Sequence, residues 1–377
     1  MIRLALSALS TGAPGASAAP SRRMQMVLAA PSRRMQIRAP MSRALIALLF
    51  LAAAAGSVPV SVRAQSDENG GLIGLVLPLG ARTVGQGRAV AAERAELQAL
   101  PYNPAAIVGL ERGALTYSRF QGADLEDELD GFNGNYIAGA YVGAWGTLAG
   151  HFVYQDLGQV LLTDTSPVPI GSIDLSEWVV GLTYANEVRR KVAYGVTAKW
   201  YRSDLGVTEA SGPAFDAGVT YRPRESVPIA LAASLRNLGP DLDFEDTGDA
   251  LPGSAGGGEE SLPSRVRVGI AVTPQRFPGL PEEYGVRFLF DIESDLRELS
   301  ASSQHFGGVL TVHDAVEIRA GVLFADNPFL DEGEGDRLVG GAFGIGLRLQ
   351  GFEAEIAREV SVSDLGDETH FGVGWSF

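Results

Sequence analysis

Hydrophobic and polar residues alternate along most of the chain from Ala114 onward, in short segments separated by Gly, Pro and Asp. A period of two places successive side chains on opposite faces of a β-strand. In residues 265–272 and 284–291, large apolar residues alternate with small or charged ones. This pattern predicts fourteen strands, at residues 114–120, 135–142, 147–160, 178–185, 192–201, 214–222, 228–237, 264–273, 284–293, 304–312, 316–324, 338–349, 352–358 and 369–377.

The last strand has one large apolar face, formed by Phe371, Val373, Trp375 and Phe377, with small or polar residues between them. A strand of this kind that ends on an aromatic residue is typical of the last strand of a bacterial outer-membrane barrel. The apolar face is therefore predicted to contact lipid. The alternative is an edge strand of a soluble β-sandwich.

The other face of the alternating strands carries charged residues of both signs, which we predict to point into the lumen of a barrel. Because both signs are present, salt bridges across a narrow lumen are favoured over a wide ion-selective pore. The predicted lumen-facing charged residues are Lys199, Arg265, Arg267, Arg287, Asp291, Glu317 and Arg319.

Connection lengths test the barrel interpretation independently. Barrels of this class have long outer loops and short periplasmic turns in alternation. Connections after odd-numbered strands are long here, as at 161–177 and 202–213, and hold the acidic runs 124–130, 241–249 and 331–336. Those after even-numbered strands are mostly short. The sequence thus predicts an all-β fold, a transmembrane antiparallel β-barrel of about fourteen strands.

The N-terminal part of the sequence predicts export. Residues 1–40 form a low-complexity Ser/Ala/Arg-rich extension with a near-repeat, so Met41 is the expected start. Residues 41–64 contain an apolar run followed by Val62-Arg63-Ala64, which is typical of a signal peptide cleaved after Ala64. The alternative is a retained membrane helix. Together with the strand pattern, the signal peptide predicts a cell outer membrane location.

Residues 65–110 lie between the signal peptide and the barrel, which takes residues 111–377. They are rich in Gly and Ala, with a short helix expected over residues 88–99. A barrel of about fourteen strands encloses an interior that leaks unless something fills it. We therefore predict that residues 65–110 form a hatch, or plug, inside the barrel.

Composition and charge exclude several classes of function. The 377-residue chain has no cysteine, which excludes disulfides and thiolate chemistry. Its net charge is −15, and eight of its 30 basic residues precede all 45 acids, so the part after residue 64 carries 22 − 45 = −23. This balance argues against nucleic acid as a partner.

No motif in the sequence supports an enzyme, a cofactor or a metal centre. The four histidines are scattered, and the glycines of residues 85–91 lack the βαβ context of a dinucleotide site. The acidic run 241–249 has a spacing similar to a calcium loop but lacks its glycine and its final glutamate. A solvated acidic loop is expected there, with weak divalent binding as the alternative.

Two segments resemble the N-terminal signature of PorV/PorQ-type outer-membrane proteins, which are relatives of the FadL-type long-chain fatty-acid transporters. They are Leu79-Gly-Ala-Arg-Thr-Val-Gly-Gln-Gly87 and Tyr102-Asn-Pro-Ala-Ala-Ile107, and residues 215–223, 234–240 and 262–263 resemble the family's mid-barrel pattern. The resemblance implies a fourteen-stranded barrel with a hatch that contains Asn103, Pro104 and Ala105. The chain departs from the family pattern at Arg88-Ala89 and at residues 97–100.

The resemblance implies two functions of different classes. The favoured one is hatch-gated, FadL-like passage of hydrophobic small molecules across the outer membrane of a Gram-negative bacterium. The alternative is a PorV/PorQ-like component of type IX protein secretion that acts as a binding or shuttle protein. The partners expected are outer-membrane lipids, a hydrophobic ligand or a secreted protein, and the barrel-assembly machinery. The assembly signal for that machinery is expected at Phe371, Val373, Trp375 and Phe377.

Overall fold

The computed structural model describes residues 72–122, 133–163, 169–188, 190–223, 227–247, 258–297, 299, 302–326, 337–361 and 367–377. The extension at 1–40, the signal peptide at 41–64 and hatch residues 65–71 lie outside these ranges. So do the acidic runs 124–130 and 331–336 and the last two residues of the run 241–249. Within the described ranges, no helix has both the length and the apolar character needed to span a membrane.

Fourteen antiparallel strands form one closed barrel, as the alternating pattern predicted. Each strand pairs with its neighbours in the chain, and the first pairs with the last, so that Ala114 lies opposite Ser376. The pairing of the first strand with the last closes the sheet at its two end strands, which would otherwise expose unpaired backbone groups to lipid. The barrel strands are β1 (Ala114–Gln121), β2 (Asn133–Gly143), β3 (Gly146–Thr163), β4 (Pro169–Val188), β5 (Val192–Asp204), β6 (Thr208–Tyr221), β7 (Ile229–Leu238), β11 (Arg265–Val272), β12 (Tyr284–Asp295), β13 (Ser302–Val312), β14 (Val316–Asp326), β15 (Arg337–Leu349), β16 (Phe352–Ser361) and β17 (Glu368–Ser376); the connection between β7 and β11 adds the two-residue strands β8 (Leu242–Asp243), β9 (Glu245–Asp246) and β10 (Glu259–Glu260).

The two ends of the barrel differ in their connections. At one end, which we call the short-turn end, pairs such as β13–β14 and β15–β16 are joined by two- or three-residue turns. Both His313 and Asp314 have positive φ, as do Gln350 and Gly351, and two such residues in a row suit the right-handed twist of a hairpin. The opposite end, the long-loop end, holds the long connections, including the one with β8–β10.

The strands present an apolar outer surface. β1 alternates buried and exposed residues along its whole length, which is the period of two seen in the sequence. On β17, Phe371 and Val373 are exposed, and so are Trp375 and the following Phe377. Trp145 and Trp200, near strand ends, are also exposed. Such aromatic residues at the two rims of an apolar band are typical of membrane interfaces.

Two predicted outer loops are largely strand. The expected loop 161–177 is a continuation of the β3–β4 hairpin, in which β4 begins at Pro169, and the expected loop 202–213 shrinks to residues 205–207. The β3–β4 ladder passes a bulge between Asp156 and Gly158 and continues beyond it. Cross-strand hydrogen bonds stabilise these extensions although their sequences are polar, because strand propensity depends strongly on pairing context.

Residues 72–110 lie within the barrel and pack against its inner wall. They contain two short 3-10 helices, Ile73–Leu75 and Pro104–Ile107, and one α-helix, α1 (Ala81–Gly85). The helix expected over residues 88–99 is absent: that segment is a series of turns, in which Arg88 and Ala95 have positive φ. Positive φ is incompatible with a right-handed helix.

Candidate functional site

The predicted lumen-facing charged residues all take part in ion pairs on the inner wall or with the hatch. Their side chains range from fully buried, as in Arg319 and Asp291, to partly exposed, as in Arg287. The inner surface is therefore lined by compensated charges. Their ion pairs include Lys199 with Asp216 at 2.8 Å, Arg265 with Asp295 at 3.9 Å, Arg267 with Asp291 at 3.1 Å, Arg287 with Glu93 at 3.2 Å, Glu317 with Arg319 at 2.7 Å and Arg319 with Glu355 at 2.8 Å.

Arg82, on α1, is the main electrostatic contact between hatch and wall. Its guanidinium lies 2.8 Å from Glu96 of the hatch, 2.9 Å from Glu317, 3.1 Å from Glu355 and 3.3 Å from Glu353. The planar guanidinium can serve several carboxylates at once because its donors point in fixed, separate directions. Arg82 thereby joins α1 to β14 and β16.

Further polar contacts attach the hatch to other parts of the wall. Arg88 forms two hydrogen bonds with Glu359 of β16, at 3.0 and 2.6 Å. On the far side, the carboxylate of Asp291 accepts hydrogen bonds from the backbone N–H groups of Val90 and Ala91, at 2.7 and 2.8 Å. The backbone carbonyl of Tyr102 accepts a bond from Ser234 on β7. The hatch is thus held around much of the barrel circumference.

The Asn103-Pro104-Ala105 element forms a tight turn against β5 and β6. Asn103 caps the second 3-10 helix by accepting a hydrogen bond from Ala105 N at 3.0 Å, and its side-chain amide donates to the carbonyl of Ala91 at 2.6 Å. Gly195 and Gly218 lie opposite each other on these strands, directly beneath the turn. A β-carbon on Gly195 would lie 2.5 Å from the Pro104 carbonyl carbon, and one on Gly218 would overlap the Asn103 side-chain oxygen.

We expect Gly218→Ala to displace the Asn103 turn, because the added methyl overlaps a buried side chain that cannot move away freely. Overpacking of this kind destabilises proteins by roughly 1–3 kcal/mol. The measurement is the midpoint of heat-induced loss of the folded gel mobility of the purified barrel. Gly150→Ala is the matched control, since a β-carbon there has only one neighbour, at 3.8 Å. An equal midpoint for both variants would contradict the proposed contact.

The hatch and the wall share a large buried apolar cluster. A single buried cluster joins Leu72, Leu75 and Leu79 of the hatch to Tyr201 and Ala214 of the wall. It continues to residues in the connection between β7 and β11, and its members there are Leu242, Phe244 and Leu262. These residues pack into one apolar cluster between the long connection after β7 and the hatch.

The wall beside this cluster is interrupted. β6 pairs with β7 only from Phe215 onward, with a register shift between Phe215 and Ala217, and with β9 only at Thr208 and Glu209. Within the described residues, positions 210–214 of β6 have no strand partner on that side. Pro213, in this stretch, has no backbone N–H to offer. A cavity of about 340 Å³ lies here. Its lining combines Gly212, Pro213 and Leu242 with five charged residues, Arg202, Glu209, Asp241, Asp243 and Glu245.

The histidines form no common centre. His151, His305 and His370 are buried on separate strands, whereas His313 lies exposed in a turn. In the part of the chain that the structure describes, no three His, Asp or Glu side chains are arranged to hold a metal ion.

Comparison with solved structures identifies the fold. The CymD monoaromatic hydrocarbon channel superposes with a TM-score of 0.57 and 14% identity, over 79% of this chain and 97% of that one. The Pseudomonas putida toluene transporter TodX superposes with a TM-score of 0.50 and 10% identity, over 78% of this chain and 95% of that one. For a Pseudomonas aeruginosa FadL homologue the TM-score is 0.48 and the identity 12%, over 80% of this chain and 99% of that one. The chain thus has the fold of an outer-membrane β-barrel, and its short-turn end corresponds to the periplasmic end.

No protein-family model matches the chain, and no curated protein is significantly similar to it. The structural similarity supports the outer-membrane barrel fold that the resemblance implied. It gives no support to the narrower PorV/PorQ assignment.

Sequence reasoning missed the pairing between hatch and wall. Arg82 stands in the segment quoted for the family resemblance, but its partners Glu317 and Glu355 are more than 200 residues away in the chain. The signal available was an isolated arginine in a glycine- and alanine-rich segment expected to lie inside a barrel, which requires a carboxylate partner. Which carboxylate it meets depends on the barrel's register.

Proposed function

We propose that the protein passes hydrophobic small molecules across the outer membrane and that residues 72–110 act as the gate. The observation that carries this proposal is the buried apolar cluster that runs from Leu242 and Phe244 to the hatch beside the unpaired stretch of β6. In this proposal the cluster is the route of passage. Apolar solutes partition into it, whereas ions and sugars are excluded from it. The hydrocarbon channels named above share the fold, which agrees with this class of solute.

The gate has to move for passage, because the hatch fills the barrel at the level of Arg82 and Asn103. Salt bridges and hydrogen bonds hold it to the wall, and apolar clusters pack against it as well. A solute that enters the cluster would compete with Leu72 and Leu75 for apolar contacts. In this proposal, that competition shifts the first turns of the hatch.

We expect Leu242→Glu to lower uptake of an apolar probe at least about tenfold, because an unpaired buried charge costs several kcal/mol. The measurement is uptake of N-phenyl-1-naphthylamine by intact cells that express the barrel. Asp243→Asn is the matched control, since residue 243 is exposed in the same two-residue strand. Uptake unchanged in a folded Leu242→Glu barrel would refute the route.

Identification of co-purified molecules tests the function itself. The barrel is purified from native outer membranes, and bound small molecules are identified by mass spectrometry. Apolar molecules at stoichiometric amounts support passage. A secreted protein in stoichiometric complex, with no small molecule, would overturn it in favour of the secretion alternative, which no observation on this structure favours.

A further inference from the structure

A second cavity, of about 770 Å³, lies at the short-turn end between the hatch and the inner wall. Hatch residues 92–95 form one side, and the ends of β4, β7, β11 and β12 form the other. Ala230 and Ala271 on its wall are buried, whereas Arg190 and Pro228 are exposed at its rim. The cavity is therefore inside the barrel and reaches the solvent on the periplasmic side. Its volume suits a small molecule.

The described lining of the cavity carries a net positive charge, in a chain whose net charge is −15. Four arginines line it against two glutamates. Arg94 pairs with Glu187 at 2.9 Å and Arg287 pairs with Glu93 at 3.2 Å, which uses both carboxylates. Two positive charges are left over among the described lining residues, and they belong to Arg190 and Arg222.

Arg222 is the better placed of the two for binding. It follows β6 directly and is half-buried, and its backbone N–H is fixed by a hydrogen bond to the Lys191 carbonyl at 2.8 Å. Its Nε atom is buried and has no hydrogen-bond partner among the described residues, and the same is true of Arg287 Nε. Burial lowers the pKa of Arg222, and so does the neighbouring positive charge of Arg94. A buried donor without an acceptor is costly, and an anion would satisfy it.

Part of the lining is apolar, where Ala230 of β7 and Ala271 of β11 pair on adjacent strands and pack with Ala92 of the hatch. A site that combines guanidinium donors with an apolar surface fits a molecule that has a charged group and an apolar part. Inorganic phosphate would leave the apolar surface unused. A phospholipid is excluded by position, because the cavity lies on the lumen side of the barrel wall.

We propose that this cavity binds a small organic acid, with the carboxylate against Arg222 and the apolar part against Ala230 and Ala271. The bidentate geometry of arginine with a carboxylate supplies the specificity for the charged group. The inference goes beyond passage of apolar molecules, since it concerns a charged ligand at the short-turn end, whereas Leu242 and Phe244 lie in the connection at the long-loop end. It stands or falls independently of that function.

Calorimetric titration of the purified barrel with benzoate tests the proposal. We expect Arg222→Gln to weaken benzoate binding about tenfold or more, because hydrogen bonds to charged groups contribute roughly this factor. Arg222→Lys keeps the charge and is expected to retain most of the binding. Glu187→Gln is expected to tighten benzoate binding, since the substitution frees Arg94 from its ion pair. Arg276→Gln is the matched control, because Arg276 lies at the same end in a highly exposed pair with Glu282.

Three results would overturn the proposal. The first is equal benzoate binding by Arg222→Gln and Arg276→Gln barrels that keep folded gel mobility. The second is equal binding of benzyl alcohol, which lacks the carboxylate. The third is phosphate binding as tight as benzoate binding, which would remove the role of the apolar surface. Uptake of N-phenyl-1-naphthylamine by the Arg222→Gln variant separates this site from passage, and it is expected to be unchanged.

Discussion

Replacement of Arg82 by glutamine is expected to release the hatch and to leave the lumen conducting. The substitution removes the positive charge shared by Glu96, Glu317, Glu353 and Glu355, all within 3.3 Å of it. Removal of one partner of a buried ion pair typically costs about 3–5 kcal/mol, since the remaining charge stays desolvated. Arg319 can still neutralise Glu317 and Glu355, but it makes no ion pair with Glu96.

Two measurements check this expectation. The midpoint of heat-induced loss of folded gel mobility reports stability, and single-channel recording in planar bilayers reports the open lumen. Arg82→Lys should lie between the wild type and Arg82→Gln, because a lysine keeps the charge without the planar set of donors. Arg276→Gln is the control for loss of an exposed arginine. A closed, equally stable Arg82→Gln barrel would show that the hatch is held by other contacts.

Deletion of residues 375–377 is expected to abolish assembly of the barrel. Trp375 and Ser376 pair with Leu115 and Ala114 of β1, and Phe377 N–H donates to the Gly113 carbonyl at 2.9 Å. Without them the pairing of β1 with β17, which we call the closing seam, is incomplete at its periplasmic end. Unpaired backbone groups would face lipid there. The deletion also removes two of the four aromatic and aliphatic residues that form the expected assembly signal.

The amount of heat-modifiable barrel in isolated outer membranes measures this effect, with expression of the full chain as the reference. Phe352→Ala is the matched control, since Phe352 stacks on Trp375 with ring centroids 5.7 Å apart but lies in β16 and outside the signal. It should assemble nearly normally. A normal quantity of heat-modifiable barrel after the deletion would contradict both the signal and the need for a complete seam.

The hatch differs from the wall in how it is stabilised. The wall depends on backbone hydrogen bonds between neighbouring strands, which persist through most single substitutions. The hatch has one five-residue helix and depends on side chains such as Arg82, Arg88 and Asn103. Breaking a few of these contacts should therefore loosen the hatch before the barrel opens, which is the order of events that a gate requires.

The amino-acid sequence by itself determined the strands, their number and the side of each that meets lipid. The reason is local: a period of two, read over a few residues, decides which face is apolar, and the terminal face of Phe371 to Phe377 shows it directly. The sequence also indicated that residues 65–110 belong inside. The sequence pattern made β3 to β6 too short, because cross-strand pairing extends them beyond their local preference. It also predicted a helix at 88–99, which the positive φ of Arg88 prevents.

Only the tertiary structure decided which groups meet. Arg82 forms a hydrogen bond with Glu355, which is 273 positions away in the chain. The turn that contains Asn103 packs on Gly195 and Gly218, because closure of the barrel brings those strands beneath it. The unpaired stretch of β6 and the excess of positive charge around Arg222 have the same origin. Both features depend on the register between strands and on the path of the hatch. These are set by contacts between residues far apart in the chain, so a local sequence pattern does not reveal them.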